Sequence, residues 1–284
     1  MPKISSVFSR LTTLAPLSLL LISSCEFRSH RIVWHPAPGA SFKIHYSSET
    51  RAKAEGAWGT APYLSASQAD FTGKATVDSA KGQIDLSLAV DSLDFKAADR
   101  SVEEEAYMDG RLKKYHARMS LSRTGQALAL EEEPALPPMA FSPLAFGRWL
   151  AYALPAFPDS PLRQGKRWDI LQPLLDKFHP DSRVAKHFTL SAIRETPAGD
   201  EAVCLVELEA WLDEDVGSDS GPEGPALKGS GKIVFNVTKG FPESASLELE
   251  GHFRTGTPSG DSARSASAGQ PMELREKVDL TFSE

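Results

Sequence analysis

Two cysteines carry the most reactive side chains in this sequence, and they sit in opposite settings. Cys25 closes the run Leu21-Ile22-Ser23-Ser24-Cys25, an aliphatic pair and two small residues before a thiol. A thiolate is a good nucleophile, and small neighbours leave the adjacent backbone open to a protease. Cys204 lies in Ala202-Val203-Cys204-Leu205-Val206, a strand pattern, and reads as a buried, inert thiol. If Cys25 is consumed by its own chemistry, Cys204 has no intramolecular partner and a disulfide framework is excluded.

The remaining candidates are weaker. Asp213-Glu214-Asp215 with Asp219 resembles a calcium loop, but glycine falls one place early for an EF-hand and Gly224 stands where the bidentate glutamate belongs. A solvated acidic loop is the better reading. Seven histidines are scattered, and His179 and His187 are separated by Pro180, so no set converges as a zinc site requires. Glu103–Glu105 and Glu131–Glu133 read as solvated charge runs. There is no Gly-x-Ser-x-Gly elbow and no phosphate-binding glycine loop, so a non-enzyme without cofactor or metal is expected. Trp149, Trp168 and Trp211 supply large apolar area. They fill a core by default, and the sharper reading has them line a ligand cavity.

The segment that presents Cys25 reads as an export signal. Lys3 and Arg10 precede an uncharged apolar run from Leu11 to Ile22, interrupted by Pro16 and too short to span a bilayer. With Cys25 at its end, it resembles the lipobox of bacterial lipoproteins. The resemblance implies a diacylglyceryl group on the Cys25 sulfur, cleavage just before it, and an acylated new amino group. Two or three acyl chains anchor stably where one does not. It also implies a cell-envelope location. Glu26 stands where an aspartate would favour inner-membrane retention, so the outer membrane is preferred.

Removing residues 1–24 from the 284 takes two bases and no acids, moving the net charge from −7 to −9. An acidic balance argues against nucleic acid and against broad adhesion to anionic lipid. Residues 25–40, with Pro36, Pro38 and Gly39, read as the lipidated cysteine and a tether that could reach about 50 Å when extended.

From residue 41 to 284 the chain alternates. Phe42, Ile44 and Tyr46 share one phase; so do Ile84, Leu86 and Leu88, then Tyr115, Ala117, Met119 and Leu121, and near the end Leu274, Val278, Leu280 and Phe282. Period two repeated this often predicts antiparallel strands, one face buried and one wet, close to ten in number. Two short helices are expected, over Ala98–Leu112 and Phe141–Leu154. The second, with its Pro-rich exit, divides the body into halves, 41–140 and 165–284. Residues 73–82 (GKATVDSAKG) and 231–240 (GKIVFNVTKG) share four identities, as related halves or as convergent hairpins. Asp213–Ser230 and Thr255–Pro271 read as long polar loops.

The expected fold is mainly β with a minor helical part (α+β): a large curved antiparallel sheet or half-barrel. Lipobox, tether, amphipathic strands and an apolar central helix together resemble envelope lipoproteins of the LolA/LppX type, and residues 41–130 faintly resemble YceI-type proteins. The first resemblance implies a half-barrel that cradles lipid. Two functions stay open: a carrier of a hydrophobic ligand such as lipid, or an envelope interaction module that meets another protein without a ligand cavity. In both, the membrane is a partner through Cys25.

Overall fold

The computed structural model describes residues 29–54, 63–97, 113–133, 152–173, 182–211, 227–254 and 271–284, with Gly110, Leu150 and Leu175 besides. Eleven strands make one sheet: β1 (Ser41–Ala54), β2 (Tyr63–Asp78), β3 (Gln83–Ala97), β4 (His116–Ser122), β5 (Ala127–Glu133), β6 (Arg167–Pro173), β7 (Arg183–Thr196), β8 (Gly199–Trp211), β9 (Leu227–Asn236), β10 (Phe241–Arg254) and β11 (Pro271–Ser283). Every neighbouring pair is antiparallel, in the order β5-β4-β3-β2-β1-β11-β10-β9-β8-β7-β6. The sheet is an up-and-down meander joined through β1 and β11, curving into a nearly closed barrel shape. Its two edges are β5 and β6.

The ranges 41–140 and 165–284 both contribute strands to this one sheet. The first and last strands pair over twelve positions, from Lys43 opposite Ser283 to Ala54 opposite Met272, and make the body continuous. The helix expected over Ala98–Leu112 lies outside the described residues apart from Gly110, and most of Phe141–Leu154 lies outside them too. Its final turn is present, with the Leu154 N–H donating to the Leu150 carbonyl at 2.9 Å.

A meander alternates its connections between two ends. At one end they are short: 79–82, 123–126, 197–198 and 237–240. At the other, 55–62, 98–115, 174–182, 212–226 and 255–270 are each eight residues or longer. The two similar hairpins bring equivalent turns to the short-turn end. The Asp78 carboxylate accepts from the Lys81 N–H at 3.1 Å, and the Asn236 amide oxygen from the Lys239 N–H at 2.8 Å. Gly82 and Gly240 close the two turns at the same φ of 65°, a left-handed conformation that glycine adopts without steric cost. Convergent hairpin chemistry accounts for this geometry as well as a duplication would.

The inner face is apolar at the short-turn end. Phe42, Ile84, Leu121, Phe235 and Phe282 are all buried there, each side chain contributing about 1.5–3 kcal/mol by leaving water. From His30 onward the stretch read as a tether is seated in this core. Ile32 and Trp34 are 1% and 2% exposed. Trp34 packs edge-on to Phe235 and Phe241, with ring centroids 5.4 and 5.6 Å away, and its indole N–H donates to the Pro155 carbonyl at 3.0 Å. A tryptophan this large gains more from a closed aromatic nest than a linker gains from freedom, so the segment docks.

Candidate functional site

The inner face changes character towards the long-loop end. Ser48, Thr50, Ser67, Gln172, Ser182, Lys186 and Glu276 are all buried there, none above 6% exposed. Strand alternation places them. Lys186 keeps the inward phase of Val184, Phe188 and Leu190 on β7, while Ala185, His187 and Thr189 point the other way. Glu276 keeps the inward phase of Leu274, Val278 and Leu280 on β11. The register puts the base and the acid on one row across the sheet: Lys186 opposite Leu208, then Gly229, Leu249, Glu276 and Thr50. Gly229 on that row has no room for a side chain, because a Cβ would lie 2.1 Å from the Leu249 side chain.

Burying a charge is expensive unless it is paired and hydrogen-bonded. Lys186 is engaged: its side-chain nitrogen donates to the Leu154 carbonyl at 2.9 Å and stands 5.9 Å from the Phe188 ring centroid. Burial draws its pKa down to about 7. On β1 and β2 the Ser48 and Ser67 hydroxyls are 2.6 Å apart. Tyr46 lies beside them, and burial, followed by the nearby Glu276 carboxylate, holds its phenol well above the usual range. The interior thus runs from aromatic rings at the short-turn end to hydroxyls, an amine and a carboxylate further along. An amphipathic molecule has the same division.

The sequence-predicted residues fall as follows. Trp168 is 7% exposed and stacks on Phe188 with centroids 5.1 Å apart; its N–H donates to the Ala156 carbonyl at 2.7 Å. It is a packed wall of the core beside Phe157. Trp211 is half-buried at the far end of β8, with the Arg183 guanidinium 5.4 Å from its ring centroid. These two tryptophans are thus not brought together: Trp168 begins β6 at the short-turn end and Trp211 ends β8 at the other. Trp149 and Cys25 lie outside the described residues, as does Asp213–Asp219. Cys204 is wholly buried, and burial pushes its thiol up to about 12, the state of an inert core residue. Lys186 and Glu276 were not singled out by sequence reasoning. The available signal was a break of type in an otherwise apolar phase: Val184-Lys186-Phe188 and Leu274-Glu276-Val278.

The wet face carries a second feature. A groove of about 1140 Å³ opens across β7–β11 and β1, lined by His187, Glu207, Glu209, Lys228, Arg275 and Lys277 among others. Both charge signs alternate along it, and Glu209 and Lys228 stand 3.5 Å apart.

No family model matches this chain, and no curated protein matches it. A solved structure of lipovitellin, described for its lipid–protein interactions, matches over 88% of this chain at 9% identity, with a TM-score of 0.36. The match takes in 26% of that chain, so the present sequence corresponds to about a quarter of lipovitellin's length. A likeness of that size is too loose to establish a shared fold or ligand.

Proposed function

We propose that this protein is a lipid-anchored, non-enzymatic component of the bacterial cell envelope that holds a hydrophobic or amphipathic ligand, a lipid foremost, against the inner face of its sheet. The observation that carries this reading is the graded interior. Aromatic side chains at one end give way to buried Lys186, Glu276, Ser48 and Ser67 on the same inner face. A merely structural core gains nothing from a desolvated amine and carboxylate, and well-packed apolar residues in their place are often neutral or stabilising. A site for a polar head and an apolar tail uses both. The anchor rests on Leu21-Ile22-Ser23-Ser24-Cys25, and the outer membrane is preferred because Glu26 replaces the retention aspartate.

The experiment is native mass spectrometry of the full chain extracted from its own envelope in mild detergent. A bound lipid mass in the wild type, lost in Lys186→Met/Glu276→Leu, is the expected result. Repeated preparations carrying no bound lipid would leave the second reading, an envelope interaction module. The mixed-charge groove across β7–β11 favours that alternative, because charges of both signs fit a protein surface better than a lipid tail.

A further inference from the structure

The chain enters the body at the short-turn end beside a cluster of bases, while the acids Glu195, Asp200, Glu201, Glu243 and Glu284 of that end lie near the β7–β8 and β9–β10 turns and the end of β11. His30 and Leu162 exchange backbone hydrogen bonds at 2.7 and 2.8 Å, the Trp34 N–H donates to Arg123 at 2.9 Å, and the His35 N–H donates to Gly240 at 3.1 Å. A strap of six residues is therefore fastened across the 123–126 and 237–240 turns and the segment leading into β6. Around it stand Arg31, Arg123, Arg163, Lys166 and Arg167, all exposed. None of the five makes an ion pair among the described residues, unlike Lys81 with Asp78 or Lys239 with Glu284 at the same end. Asp159 is the one acid in the segment from Leu154 to Arg167.

Chain length then limits the distance to Cys25. Five residue steps separate it from His30, at most about 18 Å even when fully extended. A spacer of fifteen residues would leave the orientation of the body open; five steps do not.

We propose that the part of the short-turn end around the strap, with Arg31, Arg123, Arg163, Lys166 and Arg167, is the surface that lies against a bilayer bearing anionic headgroups, so that the long-loop end faces away from the membrane. The orientation rests on the anchor reading of Cys25; the lipid-facing basic surface rests on the residues above. The net negative charge of the whole chain argues against adhesion at any other face, and this patch is the local exception to it. Basic residues near an anionic membrane surface each strengthen binding about fivefold, and the gain falls off within a Debye length.

The test uses residues 25–284 carrying Cys25→Ser, so that neither an acyl group nor the apolar run with Lys3 and Arg10 contributes, mixed at low salt (about 20 mM) with phosphatidylcholine vesicles or with vesicles containing about 30 mol% phosphatidylglycerol. Cosedimentation with the anionic vesicles is expected to exceed that with neutral ones by about fivefold or more, and to fall to the neutral level in Arg31→Gln/Arg163→Gln/Arg167→Gln. The control Lys228→Gln/Arg275→Gln/Lys277→Gln, on the wet face near the other end, is expected to bind as the parent does. Equal binding to both vesicles, no binding, or equal loss in the two triple variants overturns the proposal. Urea midpoints within experimental error of the parent confirm that these exposed changes leave the fold intact. The anchor is judged separately, by the acyl mass on wild-type Cys25: its absence removes the anchor and leaves the vesicle result to decide the surface.

Discussion

The side-chain nitrogen of Lys186 donates to the backbone carbonyl of Leu154 across 2.9 Å, at a point where neither residue meets water. The bond ties the first part of β7 to the buried segment at Leu154. It also gives the buried amine an acceptor, which offsets part of a large desolvation cost.

Stability should therefore depend on pH through this residue. Its pKa is near 7 in the folded protein, against 10.5 ordinarily. Above about pH 10.5 both folded and unfolded chains hold it neutral, and it imposes no penalty. As pH falls from there towards 7, the unfolded chain takes up a proton that the folded one does not, and the folded state loses ground, by several kcal/mol in total. Below 7 the loss levels off. Lys186→Met lacks this term, so its urea midpoint should exceed that of the parent at pH 7 and the gap should narrow by pH 10. Parallel pH profiles for the two proteins would show that the amine is not desolvated as described.

Trp34 should be the strap's anchor. Trp34→Ala removes an indole that fills the space between Phe235 and Phe241, and should cost about 3–5 kcal/mol in urea unfolding. Hydrogen exchange at the His30 amide should speed up in step, because its bond to Leu162 depends on the strap staying down. A variant with full loss of stability and unchanged exchange at His30 would separate the two roles.

Two glycines with nearly equal backbone angles should respond differently to a methyl group. Gly165 has φ 80° and open space around it, so Gly165→Ala should cost only the left-handed penalty of about 1–2 kcal/mol. Gly125 has φ 85°, and a Cβ there would lie 2.0 Å from the Trp34 indole nitrogen and 2.3 Å from the Pro155 carbonyl oxygen. Gly125→Ala should lower the melting temperature far more, or prevent folding. Similar shifts in thermal melts of both variants would contradict the docking of Trp34 on this turn.

The Cys204 thiol should resist alkylation by iodoacetamide in the native protein and react only on unfolding, since it is fully buried and its pKa is raised by burial. Labelling mapped to Cys204 by peptide mass should track the urea transition. Rapid native labelling would mean that β8 opens locally.

Much of the architecture was legible in the alternation of apolar and polar residues. Phe42-Ile44-Tyr46 and Ile84-Leu86-Leu88 announce a one-face-buried strand because side chains on a strand alternate by geometry. The turns were legible too, in Asp78 and Asn236 followed by glycine, because their side chains bond a backbone N–H three residues on. The interior polar row was not. Lys186 and Glu276 lie ninety residues apart, and the local signal, a charge within an apolar phase, is the same for an inward lysine as for an outward one displaced by a bulge.

What the sequence by itself determined is local: the strand phases, the short turns and the apolar setting of Cys204. These follow from side-chain type and spacing within a few residues. Tertiary structure decided that Ser41–Ala54 pairs with Pro271–Ser283, that Trp34 leaves its linker to fill an aromatic nest, and that Lys186, Glu276 and Thr50 share one row. Those outcomes depend on register summed over many strands and on which apolar surface is left uncovered once the sheet has curved. Neither quantity exists until the whole chain has folded.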